Sequence, residues 1–437
     1  MVPRPPPAPR TIVRCGRLFD GTGREAAAAT LVLSGGRVEQ VLPPGVVHDR
    51  GDADLVIDGS RHTVMPGLMD LHVHLHLQHG VLDPRQPHPD FGMLVSTAQL
   101  LTVWVARNAR LMLEAGFTTA RDMAGYRHPR NLEALAVRDG VALALIPGPR
   151  LFVAGWAGQT AGHGDMGLPR TWPRDPELLA DSPWDFRRLV RLLVRDGVDL
   201  IKTSTSGGAG GHGEALWWRN HTDEELQALV DEAHSSGHRV ACHAHTADGI
   251  KRALRAGVDT IEHGVYLDEE GIELLLRHDA TLVPTLLIRS EHAVGPHRRA
   301  GSPPEVIEKF EALARAGAAS LYPAYQAGVR IALGTDTGRT LREHFGRNAY
   351  ELELMVDVGM TPMDALLAAT RNAAVALGEG ERLGTLEAGK TADLLLVDGD
   401  PLRDVRVLGD PARVHLVMKD GRVEVNRGVT VSVPASV

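Results

Sequence analysis

The sequence predicts a (β/α)8 barrel of the TIM type that carries a small β-sandwich domain built from both chain termini. Three observations predict it. Between Leu68 and Gly378, short apolar runs alternate eight times with helical runs rich in Ala, Leu, Arg and Glu. Both ends of the chain instead hold short β-rich runs broken by Gly, Asp and Pro. Ionisable residues close several of the apolar runs, at the strand ends where such barrels place their chemistry.

The amino-terminal strand candidates are "TIVRCGRLFDG", "ATLVLSGGRVEQVLP" and "ADLVIDGSRHTVMPG". Their counterparts at the far end are "LGTLEAGKTADLLLVDGDPL" and "RVHLVMKDGRVEVNRG". Together they predict a β-domain from residues 1–66 plus 380–437, with the barrel over 67–379. The eight barrel strands are read from "LMDLHVHL", "GFTTARDM", "PRLFVAG", "GVDLIKTSTSGG", "GHRVACHAH", "GVDTIEHG", "ATLVPTLL" and "GVRIALGTD". An "AG" or "DG" stands before several of them, as expected where a glycine-terminated helix turns into the next strand.

Composition narrows the function classes. With 43% hydrophobic residues among 437, the chain can bury a large core. It carries 55 acidic and 47 basic residues, a formal net charge of −8, and no Lys/Arg-rich run. A phosphate-binding footprint for nucleic acid is therefore absent, and no amphipathic membrane anchor stands out. Two cysteines, Cys15 and Cys242, make no disulfide framework and favour a reducing compartment. The first residues lack an apolar core of signal-peptide length and no later run approaches a membrane span. A soluble, cytoplasmic protein is expected.

The segment "VMPGLMDLHVHLHLQHG" carries four histidines within eight positions. On a strand, His72 and His74 share one face because side chains alternate with period two. His76 shares that face too, so spacing alone does not choose the pair. Lys202, in "DLIKTSTSGG", either leaves its strand for solvent or faces the barrel interior. In the second case desolvation lowers its pKa, and the neutral amine can react with carbon dioxide to give a carbamate able to bridge two cations. His243 and His263 suit zinc-like ions, although each alone also reads as a core histidine held by a carbonyl. Asp336 either caps a turn or binds metal and moves a proton. Taken together, these residues supply ligands for two ions, and two cations sharing a hydroxide make a nucleophile at neutral pH.

"PGLMDLHVH", "IK", "HAH", "EHG" and "GTD", in this order, resemble the metal-dependent amidohydrolase superfamily. "GQTAGHGD", "KTSTSGG", the block from "HTDEELQALVDEAHSSGHRV" to "TIEHG", and "GMTPMDALLAAT" are similar to the branch holding imidazolonepropionase-like, Xaa-Pro dipeptidase and ochratoxin-hydrolysing carboxypeptidase-type enzymes. The resemblance implies His72, His74, Lys202 (carboxylated by carbon dioxide), His243, His263 and Asp336 as ligands of two divalent metal ions, zinc first. His76 and His79 are left as bystanders. Asp336 is implied as proton shuttle, and His163 as a contact to the scissile group or the oxyanion. His245, implied as a substrate contact that donates a hydrogen bond to an oxyanion or carboxylate, stands where dipeptidase-like members often carry tyrosine and the ochratoxin-hydrolysing type carries histidine, which weakens an assignment to proline dipeptides.

The implied activity is cleavage of an amide bond in a small-molecule substrate, a dipeptide or N-acyl amino acid, by a metal-bridging hydroxide. Cyclic amides, carbamates and esters use the same machinery, and a catalytically inactive metabolite-binding barrel is the third reading. Relatives of this kind are often homo-oligomers. The loop after the fourth strand candidate also stands apart from the family pattern. "SGGAGGHGEALWWRNHT" replaces a shorter, Met-containing loop and brings His212, Glu214, Trp217 and Trp218. The tryptophans either wall an apolar pocket or pack the loop on the barrel, and packing is expected for at least one. Arg289 either pairs with a substrate carboxylate or lies on the surface.

Overall fold

The computed structural model describes residues 10–24, 26–44, 46, 55–76, 96–125, 128–165, 175–209, 214–291, 294–295, 298, 304–338 and 345–432. His79 and His212 lie outside them. Strands β1 (Thr11–Leu18), β2 (Ala27–Ser34), β3 (Arg37–Leu42) and β4 (Leu55–Pro66) come first. The barrel follows with β5 (Leu68–Val73), β6 (Phe117–Asp122), β7 (Arg150–Trp156) and β8 (Leu200–Ser204). It continues with β9 (Arg239–Ala244), β10 (Thr260–His263) and β11 (Thr281–Val283). Last come β12 (Leu394–Val397), β13 (Val414–Lys419), β14 (Arg422–Asn426) and β15 (Val431–Ser432).

Strands β5 to β11 pair in sequence order, all parallel, in one seven-stranded sheet. Helices between successive strands cover the outside, so the strands are buried on both faces and read as apolar runs. Residues 330–337, the eighth strand candidate, close the ring without becoming a regular strand. On one side Leu282 N donates to Arg330 O and Ala332 N to Leu282 O. On the other, Leu71 N donates to Leu333 O, Asp336 N to His72 O and His74 N to Thr337 O, at 2.7–2.9 Å. The segment passes close to its neighbours: a Cβ on Gly334 would stand 2.3 Å from Val283 Cγ1, so glycine suits this approach to β11.

Local signals place the helices. Thr222 and Glu225 form a capping box on helix Asp223–Ser235. Gly197 and Gly257 end helices Pro183–Asp196 and Ala247–Ala256 at φ of 90° and 93°, as the glycine pattern predicts.

The two ends of the chain meet in a second sheet, ordered β14-β13-β12-β4-β1-β2-β3, with β15 also on β4. The β-structure expected as a sandwich is one continuous hydrogen-bonded sheet. The twelve-residue β4 makes it so, pairing β1 along one edge while the other edge takes β15 at Val56–Ile57 and β12 at Thr63–Pro66. The run "LLLV" in β12 is apolar throughout because its faces serve different cores. Leu394 and Leu396 pack with Val13, Leu31 and Leu416 inside the sheet domain, whereas Leu395 and Val397 join the barrel core with Leu68 and Phe117. Polar ties add to this junction: Arg150 at the start of β7 pairs with Asp393 at 2.6 Å, and Lys419 Nζ donates to Gly148 O. The sheet thus packs against the starts of the barrel strands and leaves their carboxyl ends open for the site.

Leu395→Ala removes a fully buried side chain at that junction. It should cost about 2–5 kcal/mol, seen as a lower denaturant midpoint. The partly exposed Val423→Ala should change stability by no more than about 0.5 kcal/mol. Equal midpoints for the two variants would place Leu395 outside the core.

Candidate active site

The ionisable residues predicted at the strand ends converge at the carboxyl end of the barrel. His72 near the end of β5 and His74 just beyond it both face Asp336, whose Oδ1 lies 3.7 and 3.2 Å from their Nε2 atoms. His243 ends β9 one residue early, and His263 ends β10. The His72 and His263 ring centroids are 5.0 Å apart, those of His243 and His263 4.6 Å, and those of His245 and His263 4.8 Å. Lys202 differs from the expectation that it ends its strand: β8 continues to Ser204. Lys202 pairs in register with Ala241, two residues below His243, so its long arm rises from deeper in the barrel.

Backbone strain helps to bring these groups together. Glu262 and His263 are adjacent, and on an extended strand their side chains would point to opposite faces. Yet Glu262 reaches His72 inside the barrel while His263 turns over the mouth, because His263 adopts φ of 76°. Asp336 likewise sits at φ of 57° and Thr285 at 48°, rare positions for residues with a Cβ.

Four of these histidines have one ring nitrogen engaged by the protein. His72 Nδ1 lies 2.8 Å from Glu262 Oε2, His74 Nδ1 2.6 Å from Ala124 O, and His263 Nδ1 2.6 Å from Thr285 Oγ1. Their Nε2 atoms remain as donors to a ligand. His243 is turned the other way, with Nε2 at 3.2 Å from Gly207 O, leaving Nδ1. A partner on the remote nitrogen fixes tautomer and ring angle in this manner at metal sites.

Burial sets the charges. It pushes His72 down to about 4, and His243, His245 and His263 well below the usual imidazole range, so these rings are neutral near pH 7. Lys202 is 3% exposed and its ammonium is pushed down to about 8 by burial. Its Nζ has no hydrogen-bond partner among the described residues. For Glu262, burial raises the carboxyl, but Arg121, the hydrogen bond from His72 and the charge of Lys202 outweigh it and hold it at about 2.

These residues fit divalent cations. His243, His245 and His263 form one group, and His72, His263 and Asp336 another, whose ligand atoms lie within 4.8 Å of one another. Neutral imidazoles and a carboxylate are the donors that such ions take. His245, read from the sequence as a substrate contact, thus also stands in a group able to hold metal.

His163, from the loop after β7, stacks on His243 with centroids 3.9 Å apart and rings 15° from parallel. Arg289 is not at the surface: it lies on the turn Leu287–Arg289, 3% exposed. Its guanidinium donates to Pro284 O and, at 3.4 Å, to Thr285 Oγ1. Neither tryptophan packs as expected, since Trp217 is 78% and Trp218 38% exposed. The loop is anchored by polar residues instead, with Asn220 Nδ2 on Ser204 Oγ and Ser206 O, and His221 Nε2 2.8 Å from Thr203 Oγ1.

Sequence reasoning missed the residues beneath the mouth. Arg121 donates to Glu262 Oε1 at 2.7 Å and to Leu71 O at 2.6 Å. Asp70 accepts from His72 N, Thr335 N, Thr335 Oγ1 and Asn348 Nδ2, tying β5 to the closing segment. The available signal was an ion inside an apolar run: Arg121 in "TTARD" and Glu262 in "TIEHG".

A profile of the amidohydrolase family matches residues 63–423. The chain belongs to the amidohydrolase family. It is a hydrolase that acts on amide-type carbon–nitrogen bonds. Among relatives, an ochratoxinase from Aspergillus niger is 33% identical over 441 aligned positions, covering 96% of this chain and 87% of that protein. A solved Xaa-Pro dipeptidase with bound methionine in its active site superposes with a TM-score of 0.83 at 32% identity, covering 95% of this chain and 99% of the other. The crystal structure of the A. niger ochratoxinase gives a TM-score of 0.81 at 30% identity, over 97% of each chain. Among the described residues, no helix is long and apolar enough to cross a membrane.

The turn bearing Arg289 is clamped by Glu351, whose two carboxylate oxygens accept the amides of Leu286 and Leu287 at 2.7 Å each. Burial, opposed by those amides and by Arg289, pushes Glu351 up from 4.5 to about 8. A carboxyl raised in the folded state contributes stability that is complete below pH 4.5 and lost as pH rises through about 8. The stability advantage of wild type over Glu351→Gln should therefore shrink across that window in denaturation series. An advantage that grows with pH would contradict this.

Proposed function

We propose that this amidohydrolase uses a binuclear zinc site to cleave the amide bond of a dipeptide or an N-acyl amino acid. The observation that carries the reading is the pair of ligand groups sharing His263, set above the buried and unpartnered Lys202. His72, His74, His243, His263 and Asp336 would hold the two ions, with Lys202, as its carbon dioxide-derived carbamate, between them. Bound divalent ions would polarise the substrate carbonyl and lower the pKa of a water.

The chain's own groups do the rest. Asp336, 3.2 Å from His74 and backed by the His72 carbonyl on its amide, takes the proton of the attacking water. It returns that proton to the amine nitrogen as the carbon–nitrogen bond breaks, so an acid and an amine leave in balance. His163 contacts the scissile group, and His245 meets the carbonyl oxygen as it becomes anionic. Arg289, whose charge reaches both His245 and Asp336, attracts the carboxylate of the substrate. The similarity to ochratoxinase and to the methionine-bound Xaa-Pro dipeptidase supports a substrate of this kind. Histidine at position 245, in place of the tyrosine common in dipeptidase-like members, favours a product amino acid other than proline.

The test combines metal analysis with a library of dipeptides and N-acyl amino acids, using protein purified with zinc and bicarbonate. Wild type should hold about two ions per chain and release amino acids. Asp336→Asn should lose roughly 10²–10⁴-fold in kcat, and Lys202→Ala should lose metal. Metal bound without cleavage of any amide would move the substrate class to cyclic amides, carbamates or esters. No bound metal would overturn the site.

A further inference from the structure

The loop after β8 supplies a carboxylate beside the site. Glu214 is 2% exposed, and its Oε1 lies 2.7 Å from His163 Nδ1 while accepting the Gly208 amide at 2.6 Å. Its backbone carbonyl accepts Lys309 Nζ from helix Pro304–Gln326 at 2.9 Å, which pins the segment from the outside. Two neighbours hold the His163 ring. His243 is stacked on it at 3.9 Å. Gly208 approaches it closely too, since a Cβ there would stand 2.3 Å from His163 Cε1 and 2.7 Å from Nδ1. Gly207 is constrained as well, since a Cβ there would meet Ala215 O at 2.2 Å. The glycines of "SGG" thus make a seat that a single methyl group would fill.

We propose that Glu214 is a positioning residue that locks His163 in the Nδ1–H form and presents its Nε2 to the substrate. An ionised carboxylate only accepts hydrogen bonds, so the ring nitrogen facing it carries the proton. The stacking on His243 and the seat at Gly208 remove the other freedom, rotation of the ring out of its plane. In that form Nε2 carries the lone pair, so the ring meets the substrate as a hydrogen-bond acceptor at the scissile group. The longer loop therefore gives this amidohydrolase an acid–imidazole pair next to the metal ligands.

This role rests on the amide-hydrolase reading, and the two can fail separately because the first measurement needs no substrate. Zinc-loaded protein with ¹⁵N-labelled histidine is studied by long-range ¹H–¹⁵N correlation, with the His163 signals identified by their loss in His163→Gln. Wild type should show a protonated Nδ1, and Glu214→Leu should shift His163 toward the Nε2–H tautomer. A wild-type ring protonated only at Nε2, or a pattern unchanged in Glu214→Leu, would overturn the proposal.

Kinetics on the best substrate of the amide library form the second arm. Glu214→Leu should lower kcat by roughly 10–100-fold with little change in KM. Glu214→Gln, which keeps an acceptor oxygen, should retain most of the activity and the zinc content of wild type. In the His163→Gln background, Glu214→Leu should have almost no further effect. Additive losses, or loss of zinc from Glu214→Gln, would assign Glu214 to a task other than holding His163.

Discussion

The buried ion pair between Arg121 and Glu262 supports the rest of the site. The barrel mouth gathers neutral imidazoles, a desolvated lysine and an aspartate, all buried. Such a group of polar side chains is costly to bury unless each is held. Glu262 does much of that holding: one oxygen takes Arg121, the other takes His72, and its charge acts on Lys202. Arg121 in turn bonds the carbonyl of Leu71, so the pair fastens β5, β6 and β10 from inside the barrel. His72 has its tautomer and angle because of this pair, and the distances at the mouth follow from it.

Strain at the rim is the complement of rigidity beneath it. Ala124, His263, Thr285 and Asp336 all adopt left-handed backbone at strand ends. Such conformations cost of order 1–3 kcal/mol each and persist where the surroundings over-determine them. Here each one does visible work on a neighbour. The carbonyl of Ala124 accepts His74, the hydroxyl of Thr285 meets His263, and the amide of Asp336 donates to the His72 carbonyl. The parallel sheet, its covering helices and the terminal sheet packed against the strand starts supply the rigidity that sustains this geometry.

The loop after β8 brings Glu214 into contact with His163, and the turn after β11 carries the buried Arg289. Both are connections on a fixed scaffold, the part of a fold that is freest to vary.

Much of this was legible in one dimension. Eight apolar runs, the glycines that end helices, and the β-rich termini determined the barrel and the joint sheet, because they rest on local periodicity and turn chemistry. The ionisable residues that gather at the mouth were legible as well, since ions that close apolar runs stand out from their surroundings. What only the tertiary structure decided is pairing across distance. Period two allows either Glu262 or His263 to face inward, and only the left-handed turn at His263 brings both to the site. No spacing links Glu214 with His163, Arg121 with Glu262, or Asp70 with Thr335 and Asn348. Those contacts join residues 51 to 278 positions apart, and the folded chain alone makes them neighbours.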